Sequence, residues 1–212
     1  MENSAQNSKS KLLDAALQVI RSKGYTAATI DDICASASLT KGSFFHHFKS
    51  KEDLALAAVD HWNVMTGGLF AQSAYQRLND PRDRVLAYLD LRAEFLQGEL
   101  PDFTCLLGTM VQETYETHPR IRDACEAGIS SHAETVAVHI AAAKAIYTPN
   151  ATWDADTLAL YTQAVIQGAF ILAKAQGEAE IAALCIGHLR CYVEGLLTPG
   201  SPFSKPQLKE TP

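Results

Sequence analysis

Residues 41–51 carry the side chains whose types and spacing best suit recognition of another molecule. At 100° per residue, Phe44 and Phe48 fall on one face of a short helix, which leaves Gly42 and His46 at the centre of the opposite face. Glycine lets a backbone approach the floor of a nucleic-acid groove, and histidine can hydrogen-bond a base edge or a phosphate. The pattern predicts a helix that buries its phenylalanines and offers a small polar face to a duplex.

Polar residues around that face add hydrogen-bonding groups and positive charge. Ser43 lies beside Gly42, whereas Lys41 opens the helix and Lys49 and Lys51 follow it. Lysines in these places can reach the phosphates that border a groove. Spacing alone is equally compatible with a short linker helix whose outer side is merely polar.

Three capped helix starts would position this segment. Thr29 with an aspartate three residues later begins a short helix near 30–37, Thr40 caps the helix at 41–47, and Ser50 caps a longer helix. An amphipathic helix precedes them over residues 10–23 and ends at Gly24. Two short helices joined by a tight turn are the outline of a helix-turn-helix, and such short helices depend on packing.

The charge of the chain is unevenly distributed. Its net charge is -6 over 212 residues, which argues against a protein that coats nucleic acid indiscriminately. Counting lysine and arginine against aspartate and glutamate, residues 1–51 carry +3 and residues 52–212 carry -9. A basic head on an acidic body predicts nucleic-acid contact at the amino-terminal end only.

The rest of the chain also has helical periodicity, and 47% of all residues are hydrophobic, so an all-α fold is predicted. Helices are expected at about 51–74, 81–98, 104–116, 119–146, 154–176 and 180–197, with prolines between several of them. The predicted organisation is a three-helix head at 1–52, a larger helical domain at 53–198, and a flexible proline-rich tail at 199–212.

The cysteines and the apolar segments bear on location and cofactors. The chain has five cysteines, namely Cys34, Cys105, Cys125, Cys185 and Cys191. Because their number is odd and no CxxC pair occurs, neither a disulfide framework nor a zinc site is expected. No cofactor is predicted. The first ten residues are polar, and no apolar stretch is expected to reach the ~20 residues of a membrane helix. A cytoplasmic protein without membrane contact is therefore expected.

The stretch TIDDICASASLTKGSFFHHFKSKEDL, residues 29–54, resembles the DNA-binding signature of tetracycline-repressor-like (TetR/AcrR) regulators. The matching positions are Thr29, Ile33, Ala37, Gly42, His47, Phe48, Lys51 and Leu54. Two departures matter. Ser38 stands where the family commonly has glycine in the turn, and Phe45 stands where it usually has tyrosine, so a hydroxyl that would meet a phosphate is missing.

The resemblance implies a ligand-responsive transcriptional regulator, most often a repressor, that binds a pseudo-palindromic operator as a homodimer and is released by a small molecule or an electrophile. With the face described above, it assigns base contact to Lys41, Ser43 and His46, beside Gly42 and Phe45. It assigns phosphate contact to Thr29, Thr40, His47 and Lys51. Replacing Lys51 with alanine is expected to weaken binding to every sequence and to lower the salt slope by about one unit.

A dimer surface is predicted in the last two helices. The segment 158–174 is apolar almost all round, which a surface helix with one wet face would not be. Together with Leu184 and Tyr192 on the last helix it would form a four-helix interface with a second copy, as the resemblance also implies. Burial of this helix within its own chain is the alternative.

The acidic body is where the family would hold an inducer. Candidate pocket residues are the apolar Trp62, Met65, Phe70, Phe95, Phe103, Met110, Tyr115, Tyr161 and Phe170, and the polar Glu113, His118 and Gln167. Any single one of these aromatics can equally be plain core.

Cys105 in the segment DFTCLLG resembles the cysteine of a subgroup of these regulators, some of which respond to electrophiles or oxidants. A cysteine near a helix start would have its thiolate favoured by the helix dipole. Lys174 would be its partner if the two side chains meet. A buried structural cysteine is the alternative.

An enzyme and a helical interaction module without DNA contact are the rival interpretations. The chain has no Gly-rich phosphate loop, no GxSxG and no HExxH. His132 and His139 are seven residues apart and could share a metal, although a solvated helix face is the favoured interpretation of the pair.

Overall fold

The computed structural model describes the backbone of residues 2–200 and the side chains of residues 7–200. The predicted tail falls largely on residues 201–212, which lie outside the described residues.

Every regular element of the described residues is helical, which confirms the all-α prediction. The elements are α1 (Glu2–Lys23), α2 (Ile30–Ser36), α3 (Lys41–His47), α4 (Lys51–Gln72), a 3-10 turn (Ala74–Arg77), α5 (Pro81–Glu94), α6 (Leu100–Phe103), α7 (Leu106–Thr114), α8 (Pro119–Tyr147), α9 (Ala155–Gln176) and α10 (Glu180–Leu196).

The helix ends follow local chemistry. Thr29 and Asp32 form a reciprocal capping box at the start of α2, and Gly24 ends α1 with a φ of 85°. The helix predicted at 104–116 is preceded by a separate short one, because Thr104 is extended and the side chain of Cys105 accepts the Gly108 N–H as the cap of α7.

The chain divides into two compact units. Among the described residues, unit 1 comprises residues 2–71 and 98–129, and unit 2 comprises residues 72–97 and 130–200. The core of unit 1 brings together buried residues from α1 to α4, α7 and the start of α8, among them Leu12, Ile20, Phe44, Leu54, Leu106 and Ile121. This core supports α3 from behind, which the two-turn helix needs because it is marginal alone.

In unit 2, α10 packs against both α5 and α9. By length and composition α9 is apolar enough to cross a membrane, which corrects the expectation that no stretch reaches that length. The core helix of a folded domain passes the same test, and Ile166, Ala169 and Ala173 of α9 are buried. These buried positions place α9 in the core of unit 2.

Candidate nucleic-acid interface

The two faces of α3 are arranged as the sequence predicts. Phe44 and Phe48 are 0% and 5% exposed, with their ring centroids 5.7 Å apart. Gly42 and His46 are exposed on the other side. The two phenylalanines thus fix the rotation of the helix, and the small polar face is open to solvent.

A tight turn sets α2 against α3. Ser38 has a φ of 54°, the left-handed conformation that glycine adopts more readily. The N–H groups of Ser38 and Leu39 donate to the carbonyls of Ala35 and Cys34, at 3.1 and 2.9 Å. Ser38 therefore holds this turn in a conformation suited to glycine, at a cost in backbone strain.

The start of α3 carries an exposed ion pair. Lys41 Nζ lies 2.9 Å from Asp31 Oδ1, and both side chains are more than half exposed. Such a pair is worth little in water, so the ammonium can exchange its partner for a nucleic-acid group. Thr40 Oγ1 accepts the Ser43 N–H at 3.2 Å, so the predicted contact residue Thr40 also serves as the helix cap.

Thr29, like Thr40, is both a predicted contact residue and a helix cap. Its hydroxyl accepts the Asp32 N–H at 3.1 Å and lies 2.8 Å from Asp32 Oδ2, to which it donates. Lys23 pairs with the same carboxylate at 2.7 Å. The hydrogen bond of Thr29 to phosphate that the resemblance implies would compete with this cap.

His47, at the end of α3, is tied to α1. Its Nε2 lies 2.7 Å from Ser8 Oγ, and its ring centroid is 4.8 Å from that of His46. Burial first, then the positive potential of His46 and Lys9, lowers the pKa of His47 from its usual value. Both effects favour the neutral form of the His47 imidazole.

Lys51, which the resemblance assigns to phosphate, is bonded to its own chain. Its ammonium donates to the carbonyl oxygens of Tyr25, Thr26 and Ala28 at 2.8, 3.2 and 2.9 Å. Three bonds use all three donors of a lysine. The predicted contact of Lys51 with phosphate would require these bonds to break; in the described residues Lys51 holds the connector between α1 and α2.

Cys105 lies in a polar setting within unit 1. Its half-buried sulfur lies 3.5 Å from the N–H of Gly108 at the start of α7, and Arg21 is close enough to interact electrostatically. Arg21 also donates to the carbonyl of Thr104, at 3.4 Å. Burial first, and then nearby Cys105, raises the pKa of the Cys125 thiol to about 12, so Cys125 remains a thiol.

The residues predicted to line a ligand pocket fall into two groups, one in each unit. In unit 1, Met110 belongs to the core, Phe70 and Phe103 are buried, Trp62 and His118 are half-buried, and Met65, Glu113 and Tyr115 are exposed. In unit 2, Phe170 is buried, Phe95 and Gln167 are half-buried, and Tyr161 and Lys174 are exposed.

Three of those side chains make structural contacts, and their contact with a ligand stays a prediction. Met110 is fully buried among core side chains, and Glu113 binds the Thr26 N–H at 2.7 Å. Tyr161 stacks edge-on against Tyr192 of α10 at 5.5 Å and is 46% exposed. Each of these side chains therefore already has a structural partner.

Sequence reasoning missed a buried polar cluster in unit 2. Tyr88 OH lies 2.9 Å from His132 Nε2 and accepts from Gln163 Nε2 at 3.2 Å. Burial and the charge of Arg92 lower the pKa of His132 to about 4. The solvated-face interpretation of His132 is therefore wrong, and its position four residues before the buried Val136 was the available signal.

His139 lies near a different side chain of unit 2. Its ring centroid is 6.0 Å from that of Tyr75. Among the described residues no group of three or more His, Cys, Asp or Glu side chains is placed to hold a metal ion.

A helix-turn-helix whose second helix is backed by a buried core and faces outward with small polar groups defines a DNA-binding transcriptional regulator. The family models agree: "Bacterial regulatory proteins, tetR family" matches residues 12–58, and "Transcriptional regulator LmrA/YxaF-like, C-terminal domain" matches residues 81–183. The chain belongs to the TetR family, whose members regulate transcription and are not enzymes.

Curated relatives match over part of their length. The transcriptional regulator AcuR of Cereibacter sphaeroides is 28% identical over 102 residues, which are 48% of this chain and 47% of AcuR. The HTH-type transcriptional regulator CymR of Pseudomonas putida is 32% identical over 107 residues, 50% of this chain and 51% of CymR. The chain thus spans about half the length of these relatives.

The fold likeness extends much further along the chain. A TetR transcriptional regulator from Chloroflexus aurantiacus superposes with a TM-score of 0.78 at 28% identity, covering 91% of this chain and 96% of that one. Almost the whole chain therefore follows the architecture of a family member.

Proposed function

We propose that the protein is a ligand-responsive repressor that binds a pseudo-palindromic operator as a homodimer in the cytoplasm. The observation that carries this proposal is the outward face of α3. Gly42 and His46 are exposed there, on the side of the helix opposite the two buried phenylalanines. One such helix buries little DNA surface, so two copies spaced ~34 Å apart would provide the specificity.

Contacts with the operator divide by chemistry. Lys41, Ser43 and His46 contact base edges, where donors and acceptors distinguish the base pairs. His47, Thr40 and the exposed Lys49 contact phosphates. Phe45, which is 56% exposed, lacks the hydroxyl of the family's tyrosine and packs instead against sugar or a thymine methyl.

The homodimer would form through α9 and α10. Both helices expose large apolar side chains in unit 2, namely Leu160, Tyr161, Ile171, Leu172 and Leu184, each between 44% and 55% exposed. So many exposed apolar side chains on two neighbouring helices favour burial against a second copy.

Release from DNA would follow modification of Cys105 or binding of a small molecule. Cys105 would be the reactive residue because it is half-buried at the start of α7, beside the Gly108 N–H and close to the positive charge of Arg21. A small molecule would instead bind in the helical body, where Tyr88, His132 and Gln163 form a hydrogen-bonded cluster.

Selection of genomic fragments bound by the protein, followed by footprinting, tests the DNA-binding part. A repressor of this kind protects two half-sites related by two-fold symmetry. Protection without symmetry, or no preferred fragment, would contradict the proposal.

Treatment with a quinone or hypochlorite tests the sensor part. The wild type should leave DNA whereas Cys105→Ser stays bound, and Cys191→Ser, which removes an exposed cysteine from α10, should behave as wild type. Equal release of wild type and Cys105→Ser would remove Cys105 from the mechanism.

A further inference from the structure

Helix α7 and the residues just before it are bound to the segment that precedes α2. Just before its start, Arg21 of α1 donates to the carbonyl oxygens of Asp102 and Thr104 at 3.2 and 3.4 Å. Near its end, Glu113 Oε2 accepts the backbone N–H of Thr26 at 2.7 Å. Both attachments lie within unit 1, and the second one joins α7 to the connector between α1 and α2.

The connector has a place for the Glu113 carboxylate. Gly24 has a φ of 85°, and a Cβ atom built there would lie 2.1 Å from Glu113 Oε1. Any residue other than glycine would therefore displace the carboxylate as well as strain the backbone. The absence of a side chain at this position lets the carboxylate approach the N–H of Thr26.

Other groups hold the same connector. Lys51 donates to the carbonyl oxygens of Tyr25, Thr26 and Ala28, and its ammonium lies 4.4 Å from the centroid of the Tyr25 ring. The Tyr25 ring meets His118 edge-on at 5.2 Å. A lysine thus holds the carbonyls of the connector while a glutamate holds one of its N–H groups, so its backbone is fixed by two opposite charges.

The connector matters because it leads directly into the DNA-binding helices. Thr29, three residues after Thr26, is the N-cap of α2, and the turn after α2 sets α3. A shift at Thr26 therefore changes where α2 begins and how α3 is presented.

We propose that Glu113 is a positioning residue for DNA binding: its carboxylate on the Thr26 N–H fixes the connector and so the orientation of α2 and α3. This inference rests on the proposed DNA-binding function. Glu113 contacts no DNA, and it was expected from the sequence to meet a ligand instead.

The sign of the effect separates positioning from electrostatics. Removing a negative charge from a DNA-binding protein ordinarily strengthens its attraction to phosphate. If Glu113 acts by positioning, Glu113→Ala weakens operator binding about tenfold, although the protein has become less acidic. Its salt slope stays unchanged, because no phosphate contact is lost.

Two further variants complete the experiment. Glu113→Gln keeps an oxygen that can accept the Thr26 N–H and should restore most of the affinity. Glu116→Ala removes the same charge from an exposed position three residues later and should bind as tightly as the wild type or slightly more tightly.

The measurements are the dissociation constant of each variant for a genomic fragment that the wild type selects, as a function of salt, and the hydrogen exchange rate of the Thr26 amide. Faster Thr26 exchange in Glu113→Ala, together with weaker binding and rescue by Gln, supports the inference. Wild-type affinity and exchange in Glu113→Ala would overturn it, and so would equal weakening by Glu116→Ala. A wild type that selects no fragment would contradict the proposed function itself, and the inference with it.

Discussion

The ammonium of Lys51 lies 2.8 Å from the carbonyl oxygen of Tyr25 and 4.4 Å from the centroid of its ring. A lysine that follows a recognition helix would by residue type be assigned to phosphate, yet this one binds the backbone of its own chain. It holds the connector that precedes α2.

We therefore expect Lys51→Ala to weaken binding to all sequences while leaving the salt slope unchanged, and to lower the free energy of unfolding by about 2 kcal/mol. Lys49→Ala is the matched control, because Lys49 is exposed. It should lower the salt slope by about one unit with little change in stability. The two variants are compared by DNA titration at several salt concentrations and by urea unfolding. A reduced slope and unchanged stability in Lys51→Ala would restore the phosphate assignment.

The backbone strain at Ser38 gives a second prediction. Because its φ is 54°, Ser38→Gly should raise the free energy of unfolding by about 0.5–1 kcal/mol, the relief of strain being partly offset by the greater freedom of glycine in the unfolded chain. Ser36→Gly, at the last residue of α2, should instead lower it. Urea unfolding of the two variants checks the signs, and destabilisation by Ser38→Gly would show that the serine side chain contributes more than its strain costs.

Much of the fold could be predicted from the sequence because the relevant signals are local. The caps at Thr29 and Thr40 fix the starts of α2 and α3, and the spacing of Phe44 and Phe48 fixes which side of α3 is buried. These features depend on hydrogen bonds three residues apart and on helical periodicity, and both are visible in the sequence.

The parts that were missed depend on contacts between distant segments. Lys51 and Glu113 have partners in the connector that lie 23 to 26 and 87 residues away, and no spacing rule indicates them. His132 was interpreted as solvated because Glu134 lies close to it in sequence. In the fold it instead forms a hydrogen bond with Tyr88, which lies on another helix. Residue type predicts exposure well only where no tertiary partner intervenes.

The low pKa of His132 predicts a pH dependence of stability. Its folded-state pKa of about 4 lies below the ordinary histidine pKa of 6.5, so the unfolded chain binds the proton first as pH falls. The contribution of neutral His132 is complete above pH 6.5, declines as pH falls toward 4, and then levels off, a loss of about 3 kcal/mol.

His132→Asn cannot take up that proton, so its stability should fall less than that of the wild type between pH 7 and 4.5. His188→Asn, on the exposed side of α10, should keep the wild-type dependence. Urea unfolding at a series of pH values makes the comparison. Parallel curves for His132→Asn and wild type would mean that His132 is not held neutral.

The exposed apolar side chains of α9 and α10 predict the oligomeric state. The wild type should sediment as a dimer of 23.0 kDa chains at micromolar concentration. Leu184→Glu should raise the dimer dissociation constant tenfold or more, because it places a charge on the apolar surface. Val138→Glu, which alters an exposed apolar residue of α8, should leave it unchanged. A monomeric wild type would rule out this interface.

The outward face of α3 is tested most directly by the base preference of His46→Ala on genomic fragments that the wild type selects, with Lys49→Ala as the control. The proposed function predicts that His46→Ala relaxes the preference at one base position in each of two symmetric half-sites, whereas Lys49→Ala weakens all fragments alike. An unchanged preference in His46→Ala, over a site without two-fold symmetry, would contradict base recognition by α3.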